Sequence, residues 1–344
     1  MTNREGLNLL ARKHFITSEE VEKTNMSLPV PVAPADHTPT LTDALRSAAE
    51  YALSEKAEAT RRAYLSDFRD FHAWCESVRA SALPSSVETA AAYLAQLADK
   101  GLKAATINRR AAAIGYVHRM RDLEPPTNAE PVKAVLRGIR RRIGAAVTRK
   151  DPATAQAIAR MVRRIPDTLQ GKRNRALLLL GFAAALRRSE LVDLDVNDLE
   201  RMPEGILVHI RRSKTDQEGE GHQVAVPRGS KLKPVEALED WLRSAAIEAG
   251  PVFRSIRKGG SVNPDRLCEG SVAEIVKRHA KAAGLDPETF SGHSLRAGFV
   301  TSALEAGADL LKVMDVTRHR EVKTLKAYDR RAKAFKNHAG KGFL

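Results

Sequence analysis

The C-terminal half of the sequence holds six polar residues whose types together suit chemistry on a phosphodiester. Two are arginines, whose guanidinium groups match the oxygens of a phosphate in a bidentate geometry. Two are histidines, which donate hydrogen bonds or move a proton near neutral pH. A tyrosine attacks phosphorus once nearby cations or a base activate it, and a lysine protonates the departing oxygen. The six residues are Arg187, Lys214, His293, Arg296, His319 and Tyr328.

The spacing of these residues indicates how they would meet. His293 and Arg296, in SGHSLRAG, stand one helical turn apart, so their side chains point the same way and can hold one anion between them. Ser291 is the predicted N-cap of that helix, whose first N–H groups would add donors. Glu190 follows Arg187 by three residues and is within its reach on one helical face.

The last two residues of the set require a break in the chain. Nine residues separate His319 from Tyr328. A continuous helix turns by about 900° over that length and places the two side chains on opposite faces. A shared site therefore predicts a break near Arg320 and a new helix that carries Tyr328.

Each feature also has an ordinary structural explanation. Arg187 with Glu190 is equally an ion pair at a helix end, and Lys214 is equally a solvated hairpin tip. The HxxR spacing is common by chance, and Tyr328 suits a half-buried position on an amphipathic helix. The set as a whole favours phosphoryl transfer, since the sequence shows no Cys/His cluster, acidic metal cage or glycine-rich phosphate loop.

The elements around these residues are mainly helical. RNRALLLLGFAAALRRSEL is an apolar helix that Arg187 is expected to close. In GILVHIRRSK, Ile206, Val208 and Ile210 alternate with polar residues, which is strand periodicity, and HQVAVP supplies a second strand after a polar turn. The two predict a β-hairpin with Lys214 at its turn. The remainder of this half is predicted to be helical.

The N-terminal half predicts a bundle of five helices between Leu41 and Ile143. Thr42 or Asp43 is the predicted N-cap of the first helix, and Gly101 the predicted C-cap of the third. Apolar side chains recur at helical spacing on the second helix. They are Tyr64, Phe68, Phe71 and Cys75.

Positive charge is concentrated on two helices of this bundle. The whole chain carries a formal net charge of +15, which fits a polyanionic partner. KAATINRRAAAIGYVHRMR and VKAVLRGIRRRIGAAVTRK contain no acid, whereas a solvated face usually mixes charges of both signs. A merely solvated basic face stays possible. The candidate DNA contacts are Lys103, Arg109, Arg110, Arg119, Arg121, Arg137, Arg140, Arg141 and Arg142.

Other sequence features bear on where the protein is located and how its N-terminus is organised. No apolar run approaches the length of a membrane span, and the first residues lack the apolar core of a signal peptide. Cys75 and Cys268 match no metal or redox spacing and are expected to be reduced, buried thiols of a cytosolic protein. Four prolines between residues 29 and 39 predict a mobile tail over residues 1–40.

The motifs ALRRSEL, RSKTD, GHSLRAG and TRHREVKTLKAYDR, in this order, resemble the tyrosine site-specific recombinases, the phage integrase and Cre/Xer group. The resemblance covers about residues 41–335. It implies a SAM-like helical core-binding domain over 41–143, a linker over 144–152, and a catalytic domain of the DNA breaking-rejoining fold over 153–335. That catalytic domain is rich in helices and has a small antiparallel sheet. A tail over 336–344 follows.

The resemblance also implies a role for each residue of the set. Arg187 and Arg296 would clamp the scissile phosphate, while Lys214 would be the general acid for the 5′-oxygen. His293 would assist proton transfer, His319 would hydrogen-bond a phosphate oxygen, and Tyr328 would form a 3′-phosphotyrosine. Glu190 would support the site. Arg318 departs from the glycine found before this histidine in many relatives, and would either alter the turn or add a phosphate contact.

The implied reaction is site-specific recombination of double-stranded DNA with an inverted-repeat site. Four protomers would exchange strands through a Holliday junction, with Phe335 and Phe343 as candidate anchors in a neighbouring protomer. No metal or nucleotide cofactor is required. The alternatives are a catalytically silent DNA-binding regulator, a nicking-closing enzyme of the topoisomerase kind, and an RNA-binding protein, for which the sequence lacks an aromatic platform.

Overall fold

The computed structural model describes residues 41–144, 150–211 and 221–319, together with residues 321, 322 and 325. The chain divides into two compact units, Met1–Val147 and Thr148–Leu344. Its described part is mostly helical with two small antiparallel sheets, which confirms the predicted fold class. No helix in that part is both long and apolar enough to cross a membrane.

The first unit contains the five helices that the sequence predicts. The helix α1 includes Thr42 and Asp43 in its first turn, so the predicted N-cap is wrong. Residues of these types are also stable just inside a helix start, where they lie near unpaired N–H groups. The five helices are α1 (Leu41–Ser54), α2 (Glu58–Ser77), α3 (Val87–Asp99), α4 (Ala104–Arg119) and α5 (Glu130–Ile143).

An aromatic and aliphatic core lies between the four helices α2, α3, α4 and α5. Phe71 and Cys75 of α2 are fully buried, and the rings of Phe71 and Tyr93 lie 5.0 Å apart between centroids. The C-cap of α3 is Lys100, so the predicted C-cap is one residue off, and Gly101 follows it with a φ of 79° that suits glycine. Its N–H donates to Ala98 at 2.9 Å. The helix pattern of the sequence thus identifies this core correctly.

The second unit surrounds one very apolar helix. All four leucines of Leu177–Leu180 are buried, because this helix packs against neighbours on several sides. The helices of the unit are α6 (Ala155–Arg163), α7 (Leu169–Ala183), α8 (Arg188–Asp193), α9 (Pro234–Ser244), α10 (Glu269–Ala282), α11 (Ser294–Glu305) and α12 (Leu310–Thr317). Short 3₁₀ turns lie at 196–198 and 287–289, and another at 126–128 precedes α5 in the first unit.

The predicted hairpin is present and gains a third strand. The strands β1 (Leu199–Met202), β2 (Gly205–Ile210) and β3 (His222–Pro227) form an antiparallel sheet in that order. In its register Val208 lies opposite both Leu199 and Val224. Alternate residues of β2 face the core, as the sequence predicts.

A second hairpin has no counterpart in the sequence prediction. It pairs β4 (Arg254–Ile256) with β5 (Val262–Arg266) in an antiparallel register. The expectation that the rest of this half is helical is therefore wrong. The first strand has only three residues and the second contains a proline and three charged or amide side chains, so neither shows an apolar alternation.

The segment before α6 is packed tightly on α11. The Asp151 N–H donates to Thr289 at 2.7 Å and the Ala153 N–H to Ser294 at 2.9 Å. A Cβ on Gly298 would lie 1.8 Å from the Ala153 carbonyl oxygen. The glycine of the SLRAG motif is therefore required by this close approach, which fixes the helix that follows His293.

The two cysteines differ in environment. Cys75 is buried, and burial raises the pKa of its thiol to about 11. Cys268 is exposed at the N-cap of α10, so the expectation that both thiols are buried is wrong for this one. A lone cysteine in sequence carries no periodic signal that would reveal its exposure.

Candidate active site

Arg187 lies at the N-cap of α8 and not at the end of α7, where the sequence places it. The helix α7 ends at Ala183, and the turn that follows passes through Ala185 at a φ of 48°. Residues Ala184 to Leu186 remain buried beyond the helix, so hydrophobicity does not mark its end. The result is an arginine at a sharp helix–helix corner.

Glu190 is the buried centre of the corner. It lies in the first turn of α8 and is 4% exposed. Its carboxylate accepts the Arg187 backbone N–H at 2.8 Å and the Arg187 Nη1 at 2.6 Å. This confirms the expected reach between the two residues, although the contact is made at a helix start. The Arg187 backbone conformation is fixed by the same carboxylate that holds its guanidinium.

The HxxR pair lies at the start of α11. His293 is the N-cap residue, so the prediction that Ser291 caps this helix is wrong. Ser291 instead accepts the His293 N–H in a turn that precedes the helix, with an N–O distance of 3.3 Å. Arg296 is 2% exposed. Its guanidinium donates to the Ala185 carbonyl at 2.7 Å and to the Thr317 carbonyl.

The third part of the site is the end of α12. The helix stops at Thr317, and Arg318 takes a left-handed conformation with φ 54° and ψ 44°. The chain thus leaves the helix two residues before the break that the sequence predicts near Arg320, which lies outside the described residues. His319 is half-buried, and its Nδ1 lies 2.7 Å from the Thr317 hydroxyl.

The sequence assigns no clear role to Arg318 and none to Thr317. The Arg318 Nη2 donates to Glu190 at 2.6 Å, inside the protein. Thr317 is fully buried and its hydroxyl donates to the Val313 carbonyl at 2.6 Å. Residues from three distant segments of the chain therefore meet at one carboxylate and one turn.

Electrostatics place the two histidines in the same cluster as the arginines. Displacement of water by the surrounding chain, followed by the charges of Arg296 and Arg187, lowers the pKa of His293, although this residue is exposed on one side. Burial, followed by the same two arginines, lowers the pKa of His319 to about 4. Both shifts favour the neutral form of the ring. The cluster is positively charged and suits an anion with several oxygens.

Two residues of the predicted set lie outside the described residues. They are Lys214 and Tyr328. The strand β2 ends four residues before Lys214, and Arg211 at that end donates to the Asp193 carbonyl at 2.8 Å and to Asp195 at 2.9 Å. The predicted anchors Phe335 and Phe343 also lie outside.

The basic residues of the first unit differ in what they contact. Arg109 donates to both oxygens of the buried Asp67, at 2.8 and 3.0 Å, and Arg110 pairs with Asp70 and contacts the Tyr93 hydroxyl at 2.8 Å. These arginines join α4 to α2. Arg137 pairs with the exposed Glu130. The other residues are exposed or half-exposed: Lys103, Arg119, Arg121, Arg140, Arg141 and Arg142.

The sequence carries a signal for this internal pairing. Asp67 precedes Phe71 by four residues and so lies on the apolar face of α2. A carboxylate on a buried face needs a cationic partner. The helix with two adjacent arginines and no acid of its own supplies it.

Comparison with protein families identifies both units. Residues 152–334 match the Phage integrase family. Residues 49–121 match the N-terminal SAM-like domain of phage integrases. The first match alone covers more than half of the chain.

Individual relatives agree with these families. The chain is 38% identical over 290 residues to an integrase/recombinase XerD homolog of Selenomonas ruminantium, covering 83% of this chain and 85% of the relative. It is 34% identical over 285 residues to a tyrosine recombinase of Synechococcus elongatus, covering 78% and 84%. It is 28% identical over 278 residues to the recombinase Cre of Escherichia phage P1, covering 75% and 80%.

Solved structures share the fold. The XerH site-specific recombinase bound to its palindromic difH substrate, in a post-cleavage complex, matches with a TM-score of 0.61 at 17% identity, covering 88% of this chain and 85% of that one. A lambda integrase dimer bound to a COC′ core site matches with a TM-score of 0.56 at 18% identity, covering 83% and 93%.

Proposed function

The chain belongs to the phage integrase family and is a tyrosine recombinase, an enzyme that cleaves and rejoins DNA, and we propose that it recombines double-stranded DNA at a specific site through a 3′-phosphotyrosine on Tyr328. The observation that carries this proposal is the meeting of Arg187 at the Glu190 corner, Arg296 and His319 at Thr317, and His293 at the start of α11. Together they have the charge and the donor types that one phosphodiester requires.

In the proposed reaction the arginines bind the scissile phosphate. The Tyr328 oxygen attacks phosphorus and forms the phosphotyrosine, while the 5′-oxygen leaves with a proton from Lys214. The guanidinium groups stabilise the negative charge that grows on the five-coordinate phosphorus. His293 assists removal of the tyrosine proton. Attack by a 5′-hydroxyl of the partner strand then releases Tyr328 and restores a phosphodiester.

His319 adds a condition to this scheme. A ring with a pKa near 4 is neutral, and a neutral imidazole donates through only one nitrogen. A bound phosphate places negative charge beside the ring and raises its pKa. Because its Nδ1–H faces the Thr317 hydroxyl, we expect His319 to bind its phosphate oxygen through Nε2 after taking up a proton there.

The wider assembly is part of the same proposal. Of the structural neighbours, XerH is bound to a palindromic substrate and lambda integrase forms a dimer on a core site. For this chain we propose an inverted-repeat site, a tetramer that joins two sites, and exchange of strands through a Holliday junction. The protein would act on the nucleoid in the cytoplasm.

Covalent trapping tests the proposal without a known target. Wild-type protein and Tyr328→Phe are expressed in cells that carry candidate source DNA. The cells are lysed in denaturing detergent, and DNA that remains attached to the protein is sequenced at its ends. We expect ends stacked at one or two positions with the wild type and none with Tyr328→Phe.

Other outcomes contradict the proposal in distinct ways. Attached ends scattered over the DNA indicate a nicking-closing activity without site preference. Attached ends that persist in Tyr328→Phe assign the nucleophile to another residue. An absence of attached DNA from the wild type, while native protein retains duplex DNA, favours a binding protein.

A further inference from the structure

We propose that Arg318 is a positioning residue of the active site, which acts through Glu190 to hold the His319 turn against the start of α8. The inference rests on the proposed function, in which His319 contacts the scissile phosphate. Arg318 itself would touch neither substrate nor reacting atoms.

The backbone of Arg318 gives no reason for an arginine. Its left-handed conformation, φ 54° and ψ 44°, crowds the Cβ of any L-residue and is adopted most easily by glycine. Glycine is also the usual residue at this point of a helix C-terminus. The residue type is therefore explained by what the side chain contacts.

The side chain is buried against one carboxylate. The Arg318 side chain is 3% exposed and that of Glu190 is 1% exposed. Their Nη2 and Oε2 atoms lie 2.6 Å apart, and the Arg318 Nη1 donates to the Val316 carbonyl at 3.2 Å. A guanidinium enclosed in this way with a carboxylate is not placed to bind DNA. The sequence allows two roles for Arg318, an effect on the turn or a contact with phosphate. The buried ion pair favours the effect on the turn.

The pair joins two parts of the site that are 128 residues apart in the chain. Glu190 holds Arg187 through its backbone N–H and its guanidinium. On the other side, the Thr317 carbonyl accepts Arg296, and the Thr317 hydroxyl contacts the His319 ring. Thr317 therefore contacts Arg296, and the next residue, Arg318, contacts Glu190. Release of Arg318 would free the His319 turn from the Arg187 corner.

Substitutions at position 318 test this role in the full-length protein. The substrate is the duplex recovered by covalent trapping of the wild type, and both its affinity and the single-turnover rate of covalent complex formation are measured. Arg318→Gly suits the backbone but removes the ion pair, and Arg318→Met removes it while keeping the Cβ. We expect both to slow covalent attachment by roughly 10- to 100-fold, the size expected for a displaced catalytic group, with affinity unchanged. Arg318→Lys is expected to recover part of the rate.

Two further variants show that the effect passes through Glu190. Arg318→Met is expected to slow the reaction far less in a Glu190→Gln background than in the wild type, because the coupled pair is already disrupted. Arg243→Met, on the outer face of α9, removes one charge from an arginine with a 76% exposed side chain and should leave the rate unchanged. Additive effects of the two active-site substitutions would contradict the coupling.

Hydrogen–deuterium exchange on the free protein separates this inference from the proposed function. We expect Arg318→Met to accelerate exchange over residues 313–319 and to leave exchange in the first unit unchanged. If the wild type forms no covalent complex, the proposed function is overturned. The exchange result then tests the Arg318–Glu190 contact alone. A wild-type rate in Arg318→Gly, unchanged exchange, or a loss of affinity at an unchanged rate would each overturn the inference.

Discussion

Glu190 is a carboxylate whose charge is set by the groups around it. Burial alone would raise the pKa of Glu190, but Arg318, the Arg187 backbone N–H and the Arg187 guanidinium together hold it below its usual range. The residue stays ionised at neutral pH and accepts hydrogen bonds only. It is therefore suited to holding arginines in place and not to transferring protons.

Thr317 has a comparable effect on His319. Because its hydroxyl donates to the Val313 carbonyl, its oxygen is left to accept the Nδ1–H of His319. This arrangement orients the ring and selects which nitrogen carries the proton. The orientation of a catalytic histidine by a neighbouring hydrogen bond is a general means of controlling its chemistry.

Replacement of the hydroxyl tests this effect. Thr317→Val keeps the side-chain shape but removes the hydroxyl that contacts the Val313 carbonyl and the His319 ring, which costs about 0.5–1.5 kcal/mol of stability. We expect covalent attachment to slow while DNA affinity is retained, as measured in single-turnover assays. Thr301→Val, at a buried threonine of α11, is the matched control. An unchanged rate in Thr317→Val would show that the hydroxyl does not orient the ring.

His279 predicts how stability depends on pH. It is 6% exposed, and its Nε2 lies 2.9 Å from the Asn174 amide nitrogen, whose oxygen accepts Arg173. Burial, then Arg278 and Arg173, lowers the pKa of His279 to about 4. The unfolded chain, with an ordinary histidine pKa near 6.5, binds the proton first, so stability falls as pH drops from about 6.5 to 4.

The size of that effect can be measured by difference. The lowered pKa of His279 corresponds to about 3 kcal/mol in the free energy of unfolding. We expect urea unfolding of His279→Gln to lose less stability than the wild type between pH 7 and pH 4. His222→Gln, at an exposed histidine, should behave like the wild type. Parallel pH profiles for wild type and His279→Gln would contradict the assignment.

At the scale of elements, two arginines of α4 hold α2. Asp67 is 4% exposed, and Arg109 binds both of its oxygens. We expect Arg109→Met to lower the free energy of unfolding by about 1–3 kcal/mol, because it strips a buried carboxylate of its best partner. Urea unfolding of the full chain measures this. Arg141→Met, at an exposed residue of α5, should leave stability within about 0.5 kcal/mol of the wild type.

The contact between α11 and the segment before α6 is equally testable. We expect Gly298→Ala to cost at least about 1–3 kcal/mol, since its methyl group would overlap the Ala153 carbonyl. Gly138→Ala is the matched control in α5, where no atom other than those of the adjacent helix backbone lies within 4 Å of the added Cβ. That substitution should stabilise the helix by about 0.5–1 kcal/mol. Equal unfolding midpoints for the two variants would contradict the close approach.

Elements with a clear period could be predicted from the sequence, and elements without one could not. The five helices of the first unit and the strand β2 follow from apolar spacing. The strands β4 and β5 are short and polar, and their pairing depends on the surrounding fold. Within the site, motif order identifies the residues, but the Arg318–Glu190 pair depends on tertiary contacts between segments far apart in sequence.

At the scale of the whole molecule, a net charge of +15 makes binding to DNA strongly salt-dependent. We expect Arg140→Gln with Arg141→Gln to reduce the slope of log K against log salt by about 1 for each phosphate that the protein no longer neutralises. Anisotropy titrations of a duplex at several salt concentrations measure the slope. Arg243→Gln is the control for removal of charge elsewhere, and an equal reduction by that variant would show that net charge alone is responsible.

The carboxylate that Glu190 shares between Arg187 and Arg318 also affects how this ion pair can change during evolution. A lineage that exchanges Arg318 for glycine keeps Glu190 paired with Arg187, so that step leaves no charge stranded inside the protein. A lineage that loses Glu190 first leaves the enclosed Arg318 without its counter-ion, which is strongly destabilising. For the stability of the fold, the pair is therefore lost at lower cost when the arginine is replaced before the carboxylate.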